Sequence, residues 1–535
     1  MTALAALTFL TGLGCQAITD ADEAYYAEAS REMLASGDWL TPRFNFADRW
    51  QKPVLYYWLT AATYAVAGVT ESAARLWSAL TGLGLTLTTW AVARRGRATP
   101  AAAWLAGAIV ATSFGYFAMA RSALPDLPLA LLVTATIAAA LRATDEGAGV
   151  GWWALAGAAA GGGFLMKGPV ALAVPGVVLL PIWWLDRRTV RPSWTGVLAA
   201  TATAALVGLP WYAAMFAAHG VPYLESFFLT DNLERFTTTR FNEPRPLWFY
   251  PAVIAGGLLP WTAFAVGPMA GAVAGVVRRR LTWSSEERRL WVWAIAPLLL
   301  FMVSVGQQPR YVLPILPPFA ILLASAIDRR ARESSRGLAA PAWMTAALLL
   351  LMVGMVLRLR PALIVAAPWA TWAGAVAVAA AALALASIAA TGRWSRLPAV
   401  MAGVAAMLWL AVQFGALAGR RPEAVEQMAR AVVQHRGQGD RVGPYRVFVR
   451  NLIFYTRLPQ EDLFDEASAV SFLQSTERVL LVVRPNDLEH LEGLAGVSTR
   501  ELTRVKYLNT ANLRLRSLMS PATELLETVI LVSNR

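Results

Sequence analysis

The sequence of 535 residues holds one cysteine, three histidines and three lysines. Cys15 lies alone in an apolar segment, which excludes an intramolecular disulfide and a thiolate metal site. His219, His435 and His490 stand in separate regions and form no ligand spacing. Charge is also scarce: 15% of residues are charged, against roughly 25% in an average soluble domain, so an ordinary soluble enzyme is excluded. No internal repeat, low-complexity tract or phosphate-cradling glycine loop is present; Gly161, Gly162 and Gly163 fall inside an apolar run, where close helix packing accounts for them. The basic residues are almost all arginine, 44 of 47, which makes Lys52, Lys167 and Lys506 positions to question.

Apolar residues dominate, at 57%, and they come in blocks. Residues 338–357, 361–392 and 397–419 contain no ionisable side chain between them, apart from the bounding turns, and each is long enough to cross a hydrocarbon core of about 30 Å at about 1.5 Å per residue. The pattern predicts a mainly α, polytopic helical membrane protein with about 13 transmembrane helices. The spans fall near residues 2–19, 73–93, 99–120, 127–141, 151–166, 169–185, 194–217, 250–276, 290–305, 311–327, 338–357, 363–390 and 397–418. The first has no basic n-region and no clear cleavage site, and reads as a retained helix rather than a signal peptide.

With the N-terminus inside, 18 basic residues fall in the short inner loops, including Arg94, Arg95, Arg97, Arg188, Arg279, Arg280, Arg329 and Arg330, against 13 in outer loops of about twice the length. The net charge of +13 therefore reports topology in a bilayer and not nucleic-acid binding. The long loops near 20–72 and 218–249 and the C-terminal region are expected on the extracytoplasmic side of a bacterial inner membrane. Residues 1–419 are expected to form the transmembrane domain and 420–535 a small extracytoplasmic α/β domain. In the latter, a helix starts near Pro422, strands are expected at 446–450 and 478–484, a helix at 485–494 and an alternating segment at 507–518.

The outer loops concentrate groups capable of chemistry. Asp20 and Glu23 have the spacing of a capping box, which leaves Asp22 as an acid at the membrane surface able to accept a proton from a hydroxyl. Lys52 stands among Trp50, Tyr56, Tyr57 and Trp58, either as a snorkelling residue of an aromatic belt or as a cation for a lipid phosphate. Asp126 is a lone acid between two apolar spans, Lys167 a cation between two more, and Arg310 with Tyr311 lies in a further outer turn. One topology puts two acids and three cations on the same face. That set suits transfer of a group from a lipid phosphate, whose departure calls for cations while the acceptor hydroxyl calls for a base.

The ordered series Asp22-Glu23, Tyr26-Ala27-Glu28, Arg31-Glu32-Met33, Ser36-Gly37-Asp38-Trp39 and Lys52-Pro53 resembles the first extracytoplasmic loop of the GT-C glycosyltransferases. Leu124-Pro125-Asp126, Lys167-Gly168-Pro169 and Pro309-Arg310-Tyr311 continue it, and residues 451–457 extend it weakly. Bacterial lipid A aminoarabinose transferases and the protein O-mannosyltransferases, a family 39-like group, are the most similar. The resemblance implies Asp22 as catalytic base, Asp126 as second acid, Lys52, Lys167 and Arg310 as ligands of a polyprenyl phosphate, and Glu23, Gln51, Tyr56 and Tyr311 as supporting residues. Two positions depart from the aminoarabinose transferases: Gln51 replaces a Glu, and Tyr25 replaces an Arg three residues after the catalytic Asp. No metal ligand is assigned, and a divalent metal is left open.

The expected activity is transfer of a sugar from an undecaprenyl-type monophosphate to a lipid A, glycan or protein acceptor. A transporter or flippase of lipid-linked saccharides is the alternative; it calls for inverted repeats and ionisable groups at mid-membrane, whereas these groups sit at span ends.

Overall fold

The computed structural model describes residues 1–20, 22–187, 191–240, 244–278, 283–333, 336–508 and 522–535. Arg188, Arg279 and Arg280, counted above as inner charges, and the alternating segment beyond Leu508 lie outside the described residues.

The chain opens with α1 (Thr2–Leu10), and the first loop holds α2 (Asp22–Ser36), the short antiparallel pair β1 (Arg43–Phe44) and β2 (Ala47–Asp48), and α3 (Leu55–Ala67). The bundle follows as α4 (Glu71–Arg95), α5 (Pro100–Thr112), α6 (Phe114–Ala120), α7 (Asp126–Ala143), α8 (Gly151–Lys167), α9 (Val170–Leu185) and α10 (Trp194–Leu224). A π-helical run, Glu225–Glu234, leads into the single turn α11 (Arg235–Thr237). Then come α12 (Phe249–Gly257), α13 (Thr262–Val277), α14 (Ser285–Val303), α15 (Leu316–Arg332), α16 (Ala339–Leu359), α17 (Pro368–Thr391) and α18 (Leu397–Val412).

Local chemistry sets several of these boundaries. The Thr70 side chain accepts from Ala73 N to start α4, and Arg94 and Arg95 close it where the helix dipole favours cations. Ser284 and Glu287 form a reciprocal capping box at the start of α14. The glycines of α8 are contact points: a Cβ at Gly157 would lie 2.0 Å from Ala200 O of α10, and one at Gly161 2.6 Å from Ala204 O. Two helix backbones can approach this closely only without side chains between them.

Each of the thirteen expected spans has a helical counterpart. Among the described residues, seven helices are long and apolar enough to cross a bilayer by themselves, or eight when α5 and α6, bent by 52°, count as one span. Two expectations change. The segment expected to span at 2–19 is helical only to Leu10, after which Gly12, with φ +77°, turns the chain away. Residues 218–249, expected as a loop, stay helical to Thr237 with a break at Gly220, where φ is +67°.

The C-terminal unit contains α19 (Ala424–His435), β3 (Arg441–Pro444), α20 (Leu452–Thr456), α21 (Glu466–Leu473), β4 (Val479–Val483), α22 (Pro485–Ala495), β5 (Arg500–Leu508) and β6 (Leu526–Ser533). Its sheet has the order β3-β4-β6-β5, with β3 and β4 parallel and the other pairs antiparallel. All five residues of β4 are buried, because α19 covers one face of the sheet and α21 and α22 the other. The strand expected at 446–450 is absent: Arg446 and Phe448 take φ of +58° and +54°, which no strand accommodates.

This unit grips the start of the first loop. Asn451 Nδ2 donates to Ile18 O at 3.0 Å, Ile18 N donates to Tyr455 Oη at 2.7 Å, and Arg450 N donates to Asp20 Oδ1 at 2.9 Å. Glu423 accepts from Ala17 N at 2.8 Å, and Asn45 and Gln460 exchange two hydrogen bonds at 2.7 and 2.9 Å.

Candidate active site

Four of the predicted residues meet where helix ends converge. Asp22 opens α2, Asp126 opens α7, Lys167 closes α8, and Arg310 stands at the head of a 3-10 turn, Pro309–Ile315, that runs into α15. Lys167 is turned inward by Gly168, whose φ of +83° is open to glycine and whose missing Cβ leaves room for Phe227. Lys167 Nζ donates to Asp126 Oδ1 at 2.5 Å, and Arg310 Nε lies 3.5 Å from the same oxygen. The other end of the Arg310 guanidinium is paired with Asp22, so one arginine bridges both acids. Its Nε is buried and has no hydrogen-bond acceptor, which leaves one donor unused.

Next to this network is a cavity of about 110 Å³. Lys52, Lys167, Arg235 and Arg310 line it, against the carboxylates of Asp126 and Asp231. Apolar residues such as Leu129, Val133, Val170, Val174 and Phe301 make up much of the rest of its lining. Tyr311 also lines it, with its ring centroid 5.2 Å from Lys167 Nζ.

The electrostatics divide the roles. Burial alone would raise the Asp22 carboxyl, but the Arg310 guanidinium, with Lys167 and Arg49 beyond it, holds it below the usual carboxylate value. Asp22 is therefore ionised at neutral pH, with its side chain about half exposed at 46%. Burial lowers Lys52 to about 7, while Asp231 pulls in the opposite direction.

Three predicted supporting residues sit elsewhere. Glu23 is buried and pairs with Arg75 at 2.7 Å, and it accepts from Thr19 N and Ala123 N, both at 2.9 Å. It fastens the loop to α4 and forms no box with Asp20, whose carboxylate accepts from Arg450. Tyr56 bonds to Ala74 O and Ser78 Oγ at 3.2 and 3.1 Å, within the core. Gln51 adjoins Lys52 but does not line the cavity, and its Oε1 is buried without a partner. Among the described residues, no group of three His, Cys, Asp or Glu side chains is placed to hold a metal ion.

Asp231 and Arg235 were not singled out from the sequence as site residues. They pair at 3.2 Å on the π-helical run and the turn after it. Their spacing of four residues looks like an ordinary helical ion pair, and only the break at Gly220 aims that segment at the cavity.

A model of the dolichyl-phosphate-mannose-protein mannosyltransferases matches residues 6–222. An undecaprenyl phosphate-α-4-amino-4-deoxy-L-arabinose arabinosyl transferase of Proteus mirabilis is 31% identical over 327 residues, covering 60% of this chain and 57% of the relative. The corresponding protein of Sodalis glossinidius is 36% identical over 326 residues, covering 60% and 56%. The chain thus matches little more than half the length of these curated relatives. The crystal structure of ArnT from Cupriavidus metallidurans bound to undecaprenyl phosphate superposes with a TM-score of 0.75 at 23% identity, covering 100% of this chain and 97% of that one. This is the GT-C fold. An Archaeoglobus fulgidus oligosaccharyltransferase shares it more distantly, with a TM-score of 0.55 at 12% identity, over 93% of this chain and 68% of that one. The GT-C match takes in the first loop, the bundle and the C-terminal sheet together, since it extends over the whole chain.

Proposed function

We propose that the protein is an integral-membrane glycosyltransferase that moves a sugar from an undecaprenyl-type polyprenyl monophosphate to a hydroxyl or phosphate of an acceptor such as lipid A, another envelope glycan or a protein. The observation that carries this reading is the cavity itself, lined by four basic side chains and by apolar ones, beside an ionised carboxylate paired to one of the basic side chains. A lipid phosphate needs this combination. In the donor the phosphodiester carries one negative charge; when the bond from the anomeric carbon to the phosphate oxygen breaks, the departing phosphate carries two. The excess of cations over carboxylates in the lining favours the charge that develops on departure. Lys52, Lys167, Arg235 and Arg310 hold that phosphate, and the unused Arg310 Nε–H is free to donate to it. Asp22 takes the proton of the acceptor hydroxyl as its oxygen bonds to the anomeric carbon. The relatives named as arabinosyl transferases support this class of donor.

The orientation belongs to the same proposal: residues 20–72, 218–249 and 420–535 face the extracytoplasmic side of the inner membrane, 1–419 form the catalytic transmembrane domain, and 420–535 support it without performing chemistry. Two tests apply. Purified protein incubated with a panel of undecaprenyl-phosphate sugars should release undecaprenyl phosphate and glycosylate one acceptor class; no turnover with any donor would reject the activity. On a Cys15→Ala background, Ser36→Cys and Ser471→Cys should react with an impermeant maleimide in intact spheroplasts. Labelling only after permeabilisation would invert the orientation.

A further inference from the structure

The end of the bundle opposite Asp22 carries two adjoining cavities, of about 350 and 330 Å³, that the chemistry above does not use. The first runs along α15 from Phe319 to Arg330, and Arg329 stands about 20 Å of helix beyond the N-terminal end of α15, which Arg310 precedes. The first cavity is a groove between α13 and α15. One wall is stripped of side chains by Gly267 and Gly271, and the facing wall is Trp283, Trp291, Phe319 and Leu322. A Cβ at Gly271 would meet nothing within 4 Å, so this glycine does not serve helix packing; it leaves the groove open in front of that aromatic and leucine wall.

The second cavity lies among the ends of α4, α14 and α15, with charged side chains set among apolar ones. Its acids are already engaged. Asp328 pairs with Arg332 and accepts from Thr99 Oγ1, both at 2.9 Å; Glu286 pairs with Arg289 at 3.0 Å; Glu287 caps Ser284 N at 3.0 Å. Arg97, Arg329 and Arg330 have no carboxylate partner among the described residues. Arg97 is also held at φ +61°, a backbone region that an arginine seldom occupies. Arg329 and Glu287 line both cavities, so one arginine without a carboxylate partner stands where the groove meets the second cavity.

We propose that this is a binding site for an anionic phospholipid, with an acyl chain along the groove and the headgroup phosphate at Arg329, flanked by Arg330 on the groove side and Arg97 on the other. A free phosphate has no use for the groove, and a zwitterionic headgroup would bring a cation to a place where every carboxylate is committed. Basic pockets between membrane helices suit such headgroups. The site is independent of the chemistry at Asp22, and in the orientation proposed above it faces the cytoplasmic leaflet.

Native mass spectrometry of the purified full chain in detergent tests this, with phosphatidylglycerol and phosphatidylcholine of identical acyl chains. Phosphatidylglycerol should be retained preferentially, and the double variant Arg329→Ala, Arg330→Ala should lower its retention roughly fivefold or more. Gly271→Leu, which fills the groove and changes no charge, should lower it as well, and this variant decides the matter if the arginine pair is needed for folding. Arg396→Ala, at an arginine that lines neither cavity, should have no effect. Equal retention of the two lipids would overturn the proposal. So would retention unchanged in Gly271→Leu, an equal loss in Arg396→Ala, or displacement of the lipid by inorganic phosphate.

Discussion

Lys52 gives the site a pH dependence whose sign can be worked out in advance. Burial lowers its pKa to about 7, so around neutrality a large share of the protein carries a neutral amine there. Only the charged form attracts a phosphate, and a bound phosphate raises the pKa in turn. Affinity for undecaprenyl phosphate should therefore fall as pH rises above about 7, approaching tenfold per unit, with proton uptake on binding. Lys52→Arg should flatten that profile, because a guanidinium stays charged, and should restore only part of the affinity lost in Lys52→Ala, because a planar fork is not a positional copy of an ammonium. Binding titrations between pH 6 and 9 read all three forms. Asp22 behaves differently. Arg310 keeps its carboxyl below the ordinary value, so over the same range it contributes no acid limb. Asp22→Asn keeps size and capping ability and removes the basic site. Single-turnover transfer should drop roughly 10²–10⁴-fold with donor affinity little changed. Near-normal transfer would pass the role of base to Asp126, which Lys167 contacts at 2.5 Å.

The elements were legible in the sequence to the extent that charge-free length defines them. Runs without ionisable residues marked the long helices of the bundle, and the unbroken apolar run Val479–Val483 between Arg478 and Arg484 marked β4. What escaped depends on single backbone conformations. Val447 and Phe448 read as strand residues, yet left-handed φ values at Arg446 and Phe448 make the segment a turn. Residues 218–249 read as a loop because their composition is mixed, and nothing in that composition signals the π-helical run that delivers Asp231 to the cavity. The site followed the same division: Asp22, Asp126, Lys167 and Arg310 converge because each lies at a span end, whereas Glu23 and Tyr56 shared their neighbours' motif but serve the packing of α4. Helix contact supplies a test at this scale. Gly157→Leu should destabilise the protein by at least about 2 kcal/mol, since the new side chain meets a backbone carbonyl that cannot step aside. Gly176→Leu on α9, where a Cβ meets nothing within 4 Å, should be nearly neutral. Thermal unfolding in one detergent compares the two.

At the scale of the whole molecule, the segment just before Asp22, the proposed base, is held by residues far along the chain. Residues 450–455 bond to residues 18–20, two positions before Asp22, and neither group belongs to the cavity. Removing that support should misplace the acid and spare the phosphate ligands. Asn451→Ala with Tyr455→Phe should thus slow transfer by roughly tenfold or more with donor affinity unchanged, measured on protein of normal melting temperature. The sequence separation of 437 residues between Ile18 and Tyr455 also orders events during synthesis. Asp22 precedes every helix of the bundle in the chain, whereas its anchor at residues 450–455 follows the last of them, α18. A chain ending before residue 450 therefore keeps the basic lining of the cavity and lacks the bonds that hold residues 18–20 ahead of the proposed base. In the proposed reading, a chain cut short before Asn451 would still bind the polyprenyl carrier without discharging it.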